Sequence, residues 1–133
     1  MKKNQNIGLL ILRITIAFPM FIYGISKLFN GISFIQNVLE DKGLPIFLSY
    51  GVYVGEIIAP LLMIIGFRTR LAAVFFSINC LTAIFLTQTA FIFQLNENGG
   101  WALELLGIYL FGAIGIYFTG AGKIALSSKS KWD

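Results

Sequence analysis

Gly55-Glu56-Ile57-Ile58-Ala59-Pro60-Leu61-Leu62-Met63-Ile64-Ile65-Gly66-Phe67-Arg68-Thr69-Arg70 sets one carboxylate inside an apolar run, closes the run with a basic turn and opens another. A carboxylate in a segment long enough to cross a bilayer needs a partner, because an unpaired charge in hydrocarbon is costly. Of the 133 residues, 57% are hydrophobic and only 12% are charged, against about 25% charged in an ordinary soluble domain. That is too little charge to coat a globule, and the apolar residues fall in long blocks. The expected class is an all-α integral membrane protein, residues 1–133 forming a single transmembrane domain.

Four apolar stretches are long enough to be spans, given that about 20 residues cross about 30 Å of hydrocarbon. They cover about 7–29, 46–66, 71–93 and 101–119. The first contains Pro19, which is expected to kink it, and Arg13 interrupts it, which argues against a cleaved signal peptide. Between the first two spans, Ile32, Phe34, Ile35, Val38 and Leu39 recur at helical spacing, which predicts a short interfacial amphipathic helix. Gly51 and Gly55 form a G-x-x-x-G pattern that allows close helix approach. Lys2, Lys3, Arg68, Arg70, Lys123, Lys129 and Lys131 lie at one set of span ends, and Glu40, Asp41, Lys42 and Glu97 at the other. The excess of basic residues predicts a four-helix bundle with both termini in the cytoplasm, multi-pass in a bacterial inner membrane.

Several chemistries are excluded by composition. With no histidine and a single cysteine, Cys80, the chain has no His-ligated haem, no His-based metal site, no Ser-His or Cys-His pair and no internal disulfide. The basic residues form no patch with exposed aromatics of the kind that binds nucleic acid. Cys80 is expected to be a packing residue.

Depth along each span, taken from the common cytoplasmic plane at about 1.5 Å per residue, sorts the buried polar groups into two layers. Arg13, Asn79 and Glu56 fall roughly 9 to 15 Å deep, and Glu104, Gln88 and Lys27 roughly 22 to 30 Å deep. The expected pairs are Arg13 with Glu56, joined by Asn79, and Lys27 with Glu104, joined by Gln88. Arg13–Glu56 is the candidate proton or quinone site, and Glu104, Lys27, Asn79 and Tyr53 complete a polar seam with Tyr23 and Tyr109 near by. The plainer alternatives are that the pairs are clips that fix helix order, and that Lys27 snorkels outward.

The order of these pieces resembles the DoxX family of small bacterial membrane proteins. The resemblance rests on Leu12-Arg13, on Tyr23-Gly24-Ile25-Ser26-Lys27-Leu28, and on Gly43-Leu44-Pro45. It continues through Glu56, Gly66-Phe67-Arg68-Thr69-Arg70-Leu71-Ala72-Ala73, Glu104 and Gly120-x-Gly122. Ala125-Leu126-Ser127 stands where the family often has Ser-Leu-Asp, and Pro60 where small glycines are common. The resemblance implies association with quinone-linked redox chemistry, as in the membrane subunit of a thiosulfate:quinone oxidoreductase, or with protection from redox and quinone stress. It implies a membrane quinone as ligand and a redox partner protein that supplies electrons, with an oligomer open. Two other readings compete: a non-catalytic membrane anchor or assembly partner, and a small transporter subunit.

Overall fold

Glycine and proline punctuate the chain where its helices begin, end and touch. The computed structural model describes residues 3–127 and 129–133, with Thr87 by its backbone alone. Lys2, one of the basic residues that orient the chain, lies outside the described residues.

Five helices follow in order: α1 (Gln5–Asn30), α2 (Ser33–Asp41), α3 (Ile46–Ile65), α4 (Thr69–Ala83) and α5 (Glu104–Thr119). Asn4 caps α1 by accepting a hydrogen bond from the Ile7 amide at 3.1 Å, and α1 runs through Pro19 as one helix. The expected amphipathic helix is α2, with Leu39 buried against the bundle. Helix α3 opens as a 3-10 turn over Ile46–Tyr50 and passes through a π-helical turn at Val54–Ile58. It stops at Gly66, whose φ of 78° is left-handed; there the Gly66 and Phe67 amides both donate to the Leu62 carbonyl. Helix α4 continues into a second π-helical turn, Ile84–Gln88, and a 3-10 turn, Thr89–Phe91.

Three stretches, Gln5–Asn30, Ile46–Ile65 and Thr69–Leu86, are long and apolar enough to cross a membrane. The fourth expected span is shorter than its apolar pattern: helix begins only at Glu104, so α5 has 16 residues, about 24 Å of rise. Gln94 to Leu103 instead forms a turn in which the Asn96 amide donates to the Gly100 carbonyl and the Ala102 amide to the Gln94 carbonyl. Among the described residues the β structure is one isolated bridge, Leu95 with Trp101. Large apolar side chains stand exposed along every long helix, Phe29, Phe85, Phe111 and Phe118 among them. A surface of that kind suits lipid and not water.

The four long helices close a ring. Gly24 of α1 lies against the Glu56 backbone of α3, and Gly55 of α3 lies against Asn79 of α4. Phe76 of α4 meets Tyr109 of α5 edge-on at 6.3 Å, and Ile16 of α1 fills the space over Gly112 of α5. Lipid tails are as apolar as the helix surfaces, so close contact at small residues must hold such a bundle. Ala17, Met63, Ala73, Phe76, Cys80 and Ala113 fill its centre, and Cys80 is indeed a buried packing residue. Of the G-x-x-x-G pair only Gly55 makes the close approach, since nothing lies near Gly51.

The basic end is sealed by residues 120–127 and 129–133, which fold back over it. The Leu126 and Ser127 amides donate to the carbonyls of Ile65, the last residue of α3, and of Gly66 just after it, and the Arg70 amide donates to that of Trp132. Asp133 is the knot. Its carboxylate accepts from the Ser127 hydroxyl and from the Ser130 and Arg68 amides, beside the Arg68 guanidinium at 3.4 Å. These contacts, the Ser127 hydrogen bond foremost, hold the Asp133 carboxyl below its ordinary value of 3.8.

Two outcomes follow from this packing. Gly24→Ala would drive a methyl group into the Glu56 carbonyl and is expected to cost about 1–3 kcal/mol. It would be seen as a lower unfolding midpoint in detergent, whereas Gly8→Ala, with open space around it, should not lower the midpoint. Because the folded carboxyl titrates below the unfolded one, its contribution is complete above pH 3.8 and lost only as pH falls through the lower folded value. Protease access to the 120–133 segment should therefore stay constant from neutral pH down to that window and rise below it. Asp133→Asn should raise access at neutral pH and remove the rise at low pH, because its side chain carries no charge to lose.

Candidate functional site

Helix α1 presents Met20, Tyr23 and Lys27 at spacings of three and four, hence on one face. Glu56 sits at the middle of the π-helical turn of α3, where the Ala59 amide donates back to Val54. Pro60 has no amide proton to offer the Glu56 carbonyl, and its ring crowds that carbonyl, so a regular α-helical bond cannot form there. The widened turn directs the Glu56 side chain to Lys27. Lys27 Nζ lies 2.7 Å from Glu56 Oε1 and 2.6 Å from Oε2, so the ammonium bridges both carboxylate oxygens. The Glu56 side chain is 8% exposed and that of Lys27 34%.

The pairing differs from the expected layers on both counts. Glu56 pairs with Lys27 and not Arg13. Arg13 donates to backbone carbonyls: Ala121 at 2.7 Å, Ile124 at 2.9 Å and Ile64 at 3.4 Å. The cause is register. The spans do not share one cytoplasmic plane: α1 begins about two turns before the level at which α3 ends. Arg13 therefore lies beside Gly66 and Gly24 beside Glu56. The eleven residues from Arg13 to Gly24 match the ten from Glu56 to Gly66, as two antiparallel helices of equal rise require.

Lys27 does not snorkel outward and does not meet Glu104. Glu104 begins α5 and accepts from Asn96 Nδ2 at 3.1 Å in the adjoining turn, outside the cavity described below. Tyr53 is also outside it, with its ring 6.4 Å from that of Tyr50. Asn79 and Gln88 do come together with Glu56 and Lys27, as do Tyr23 and Tyr109.

The Lys27–Glu56 pair opens on a cavity of about 400 Å³ among α1, α3, α4 and α5. Its walls are mostly apolar: Met20, Val52, Leu86, Leu105 and Leu106, with the rings of Tyr23, Phe34 and Tyr109. Asn79 lines it with no side-chain hydrogen bond among the described residues. Thr82 is committed to its own helix, its hydroxyl donating to the Ile78 carbonyl at 2.8 Å. Both π-helical turns border the space, one through Glu56 and the other through Leu86 and Gln88. Phe34 and Ile35 of α2 form part of its wall, a role that sequence reasoning missed. Their place on the apolar face of an amphipathic helix was the available signal.

Chemically, the arrangement offers one ammonium, one carboxylate, two phenols and two amides inside an apolar chamber. Such a chamber takes a molecule that is mostly apolar, with a few polar atoms able both to accept and to donate hydrogen bonds. Among the described residues no cluster of three acidic or cysteine side chains is placed to hold a metal ion.

Breaking the pair from one side should leave an uncompensated charge in a mostly buried place. Lys27→Met and Glu56→Gln are each expected to cost about 2 kcal/mol, and the double variant less than the sum of the two. A double-mutant cycle of unfolding midpoints in detergent measures that coupling. Additive losses would mean that the two side chains do not interact.

Comparison with known proteins gives a consistent result. A family model described as DoxX matches residues 8–89, the part holding Arg13, Lys27, Glu56 and Asn79. A Bacillus subtilis (strain 168) protein named "Putative oxidoreductase CatD" is 31% identical over 110 residues, which is 83% of this chain and 81% of that protein. No solved structure matches the chain.

Proposed function

The chain belongs to the DoxX family, and on that footing we propose that it is the membrane component of a quinone-linked redox system. The reading includes four spans in a bacterial inner membrane with both chain ends on the cytoplasmic side. Lys3, Arg68, Arg70, Lys123, Lys129 and Lys131 at one end, against Glu40, Asp41, Lys42 and Glu97 at the other, support that orientation. The oxidoreductase name of the Bacillus subtilis relative supports the redox assignment.

The observation that carries the proposal is the Lys27–Glu56 pair facing an apolar cavity of about 400 Å³. A quinone supplies reversible two-electron, two-proton chemistry, and its head group combines a flat apolar ring with carbonyl oxygens. The residues fit that group. Lys27 Nζ and the phenols of Tyr23 and Tyr109 donate hydrogen bonds to a carbonyl oxygen, and the Glu56 carboxylate accepts one from a hydroxyl. Tyr23, Phe34 and Tyr109 offer ring faces and edges to a planar group. Glu56 holds or takes up a proton while Lys27 keeps the local charge balanced. Electrons come from a redox partner protein. Arg13, the other half of the site expected from sequence, has no part in this site, because its guanidinium is committed to three carbonyls.

A second reading has its own support: the Lys27–Glu56 pair lies where Gly24 brings α1 against α3, so it also fixes helix order. In a pure membrane anchor the pair would do only that.

A titration separates the two. Purified full-length chain with its native lipids should bind a short-chain benzoquinone, and Glu56→Gln should weaken binding by about tenfold or more, the loss of one charged hydrogen bond. Glu104→Gln, outside the cavity, should leave binding unchanged. Absence of binding, or binding indifferent to Glu56→Gln in a folded variant, would overturn the quinone reading and leave the anchor.

A further inference from the structure

A second cavity, also about 400 Å³, lies at the opposite, basic end and has no part in the redox reading. It is framed by the start of α4, the end of α5 and the folded-back segment, and its walls carry Arg70, Lys123 and Lys131. Left-handed glycines at 120 and 122, with φ of 76° and 79°, bend the chain around it.

Three features make this a place for an anion. First, Arg70 is fixed: Nε donates to the Tyr117 carbonyl at 2.7 Å, Nη1 donates to the Lys131 carbonyl at 2.6 Å, and the guanidinium lies 4.8 Å from the Tyr117 ring centre. Its Nη2 has no hydrogen-bond partner among the described residues. The Lys123 ammonium likewise has none, and that of Lys131 has only the Trp132 ring at 5.6 Å. Second, the side-chain carboxylate of Asp133 in the wall is buried and already answered by Arg68, Ser127 and Ser130, so it does not neutralise these three cations. Third, three carbonyls at and just beyond the end of α5 that would repel an anion are capped. Tyr117 is taken by Arg70, Ala121 by Arg13 and Ile116 by the Gly120 amide.

The depth of the cavity selects the anion. Arg70 sits in the first turn of an apolar helix and Phe118 in the last turn of another, which places the opening at the headgroup level of a bilayer. Phe118 is 77% exposed beside the opening and offers an apolar rim to chains that continue into the hydrocarbon. We propose that this cavity binds the phosphate of an anionic phospholipid, with Arg70, Lys123 and Lys131 as its ligands. Juxtamembrane basic pockets recognise acidic headgroups by the same physics.

Native mass spectrometry of the full chain released from micelles doped with phosphatidylglycerol or with phosphatidylcholine tests this. Phosphatidylglycerol should be retained in preference. Lys123→Gln with Lys131→Gln should weaken its retention by about 30-fold, from roughly fivefold per lysine near an anionic surface. Both are exposed side chains whose amines make no hydrogen bond among the described residues, so an unchanged unfolding midpoint is expected and confirms folding. Lys3→Gln with Lys129→Gln removes the same charge at the same end but outside the cavity, and should leave retention unchanged. Equal loss in both double variants, or loss in neither, would overturn a built site. Displacement of the lipid by millimolar inorganic phosphate alone would overturn the lipid as its occupant in favour of a soluble phosphate.

Discussion

The vertical register between α1 and α3 is the constraint on which the rest depends. It is set where Gly24 presses on the Glu56 backbone, a contact that any side chain at position 24 would prevent. Once that level is fixed, Lys27 stands one turn beyond it and within reach of Glu56, while Arg13 stands three turns short of it beside the end of α3. The two cations of α1 are fourteen residues apart on a similar side of the helix, so one sliding motion would misplace both.

Those cations meet the cost of burial in different ways. Arg13 donates from both terminal nitrogens to the carbonyls of Ile64, Ala121 and Ile124, groups left without helical partners where chain segments end, while its Nε has no partner among the described residues. Those helix ends also carry partial negative charge. No carboxylate is needed there, and the carboxylate of Glu56 remains for Lys27. The first arrangement is fully buried and knits the folded-back segment to α1, as a structural joint does. The second is part-exposed and faces a cavity, as a group that exchanges hydrogen bonds with a ligand does.

Distortion of the helices is concentrated around that cavity. Pro60 prevents the ordinary backbone bond to Glu56, and α3 passes through a π-helical turn; α4 does the same at Ile84–Gln88, across the space. Each turn redirects side chains that a regular helix would aim elsewhere. At the far end the chain is built differently, with arginines and Asp133 tying a polar segment into a rigid cap. The molecule therefore has an apolar chamber with one ion pair at one end and, at the other, a basic surface whose backbone is tied down while several of its cationic groups stay open.

Much was legible before any coordinates. The block pattern of apolar residues set the all-helical membrane class, α2 was readable from the spacing of Ile32 to Leu39, and Glu56, Lys27 and Asn79 stood out because polar groups in such runs are expensive. The family was readable from the order of short motifs. The partners of the buried charges were not. Periodicity within one helix gives the face a residue occupies, but not the height of one helix against another. That height comes from contacts such as Gly24 on Glu56 and Gly55 on Asn79, which join residues far apart in sequence. The same gap hid the role of Arg13, whose partners are main-chain carbonyls present at every position, and the short start of α5 at Glu104. Composition and spacing determined what kind of protein this is and which side chains carry its cost. Only the tertiary structure decided which of them meet, because register is a property of packed surfaces and not of any one segment.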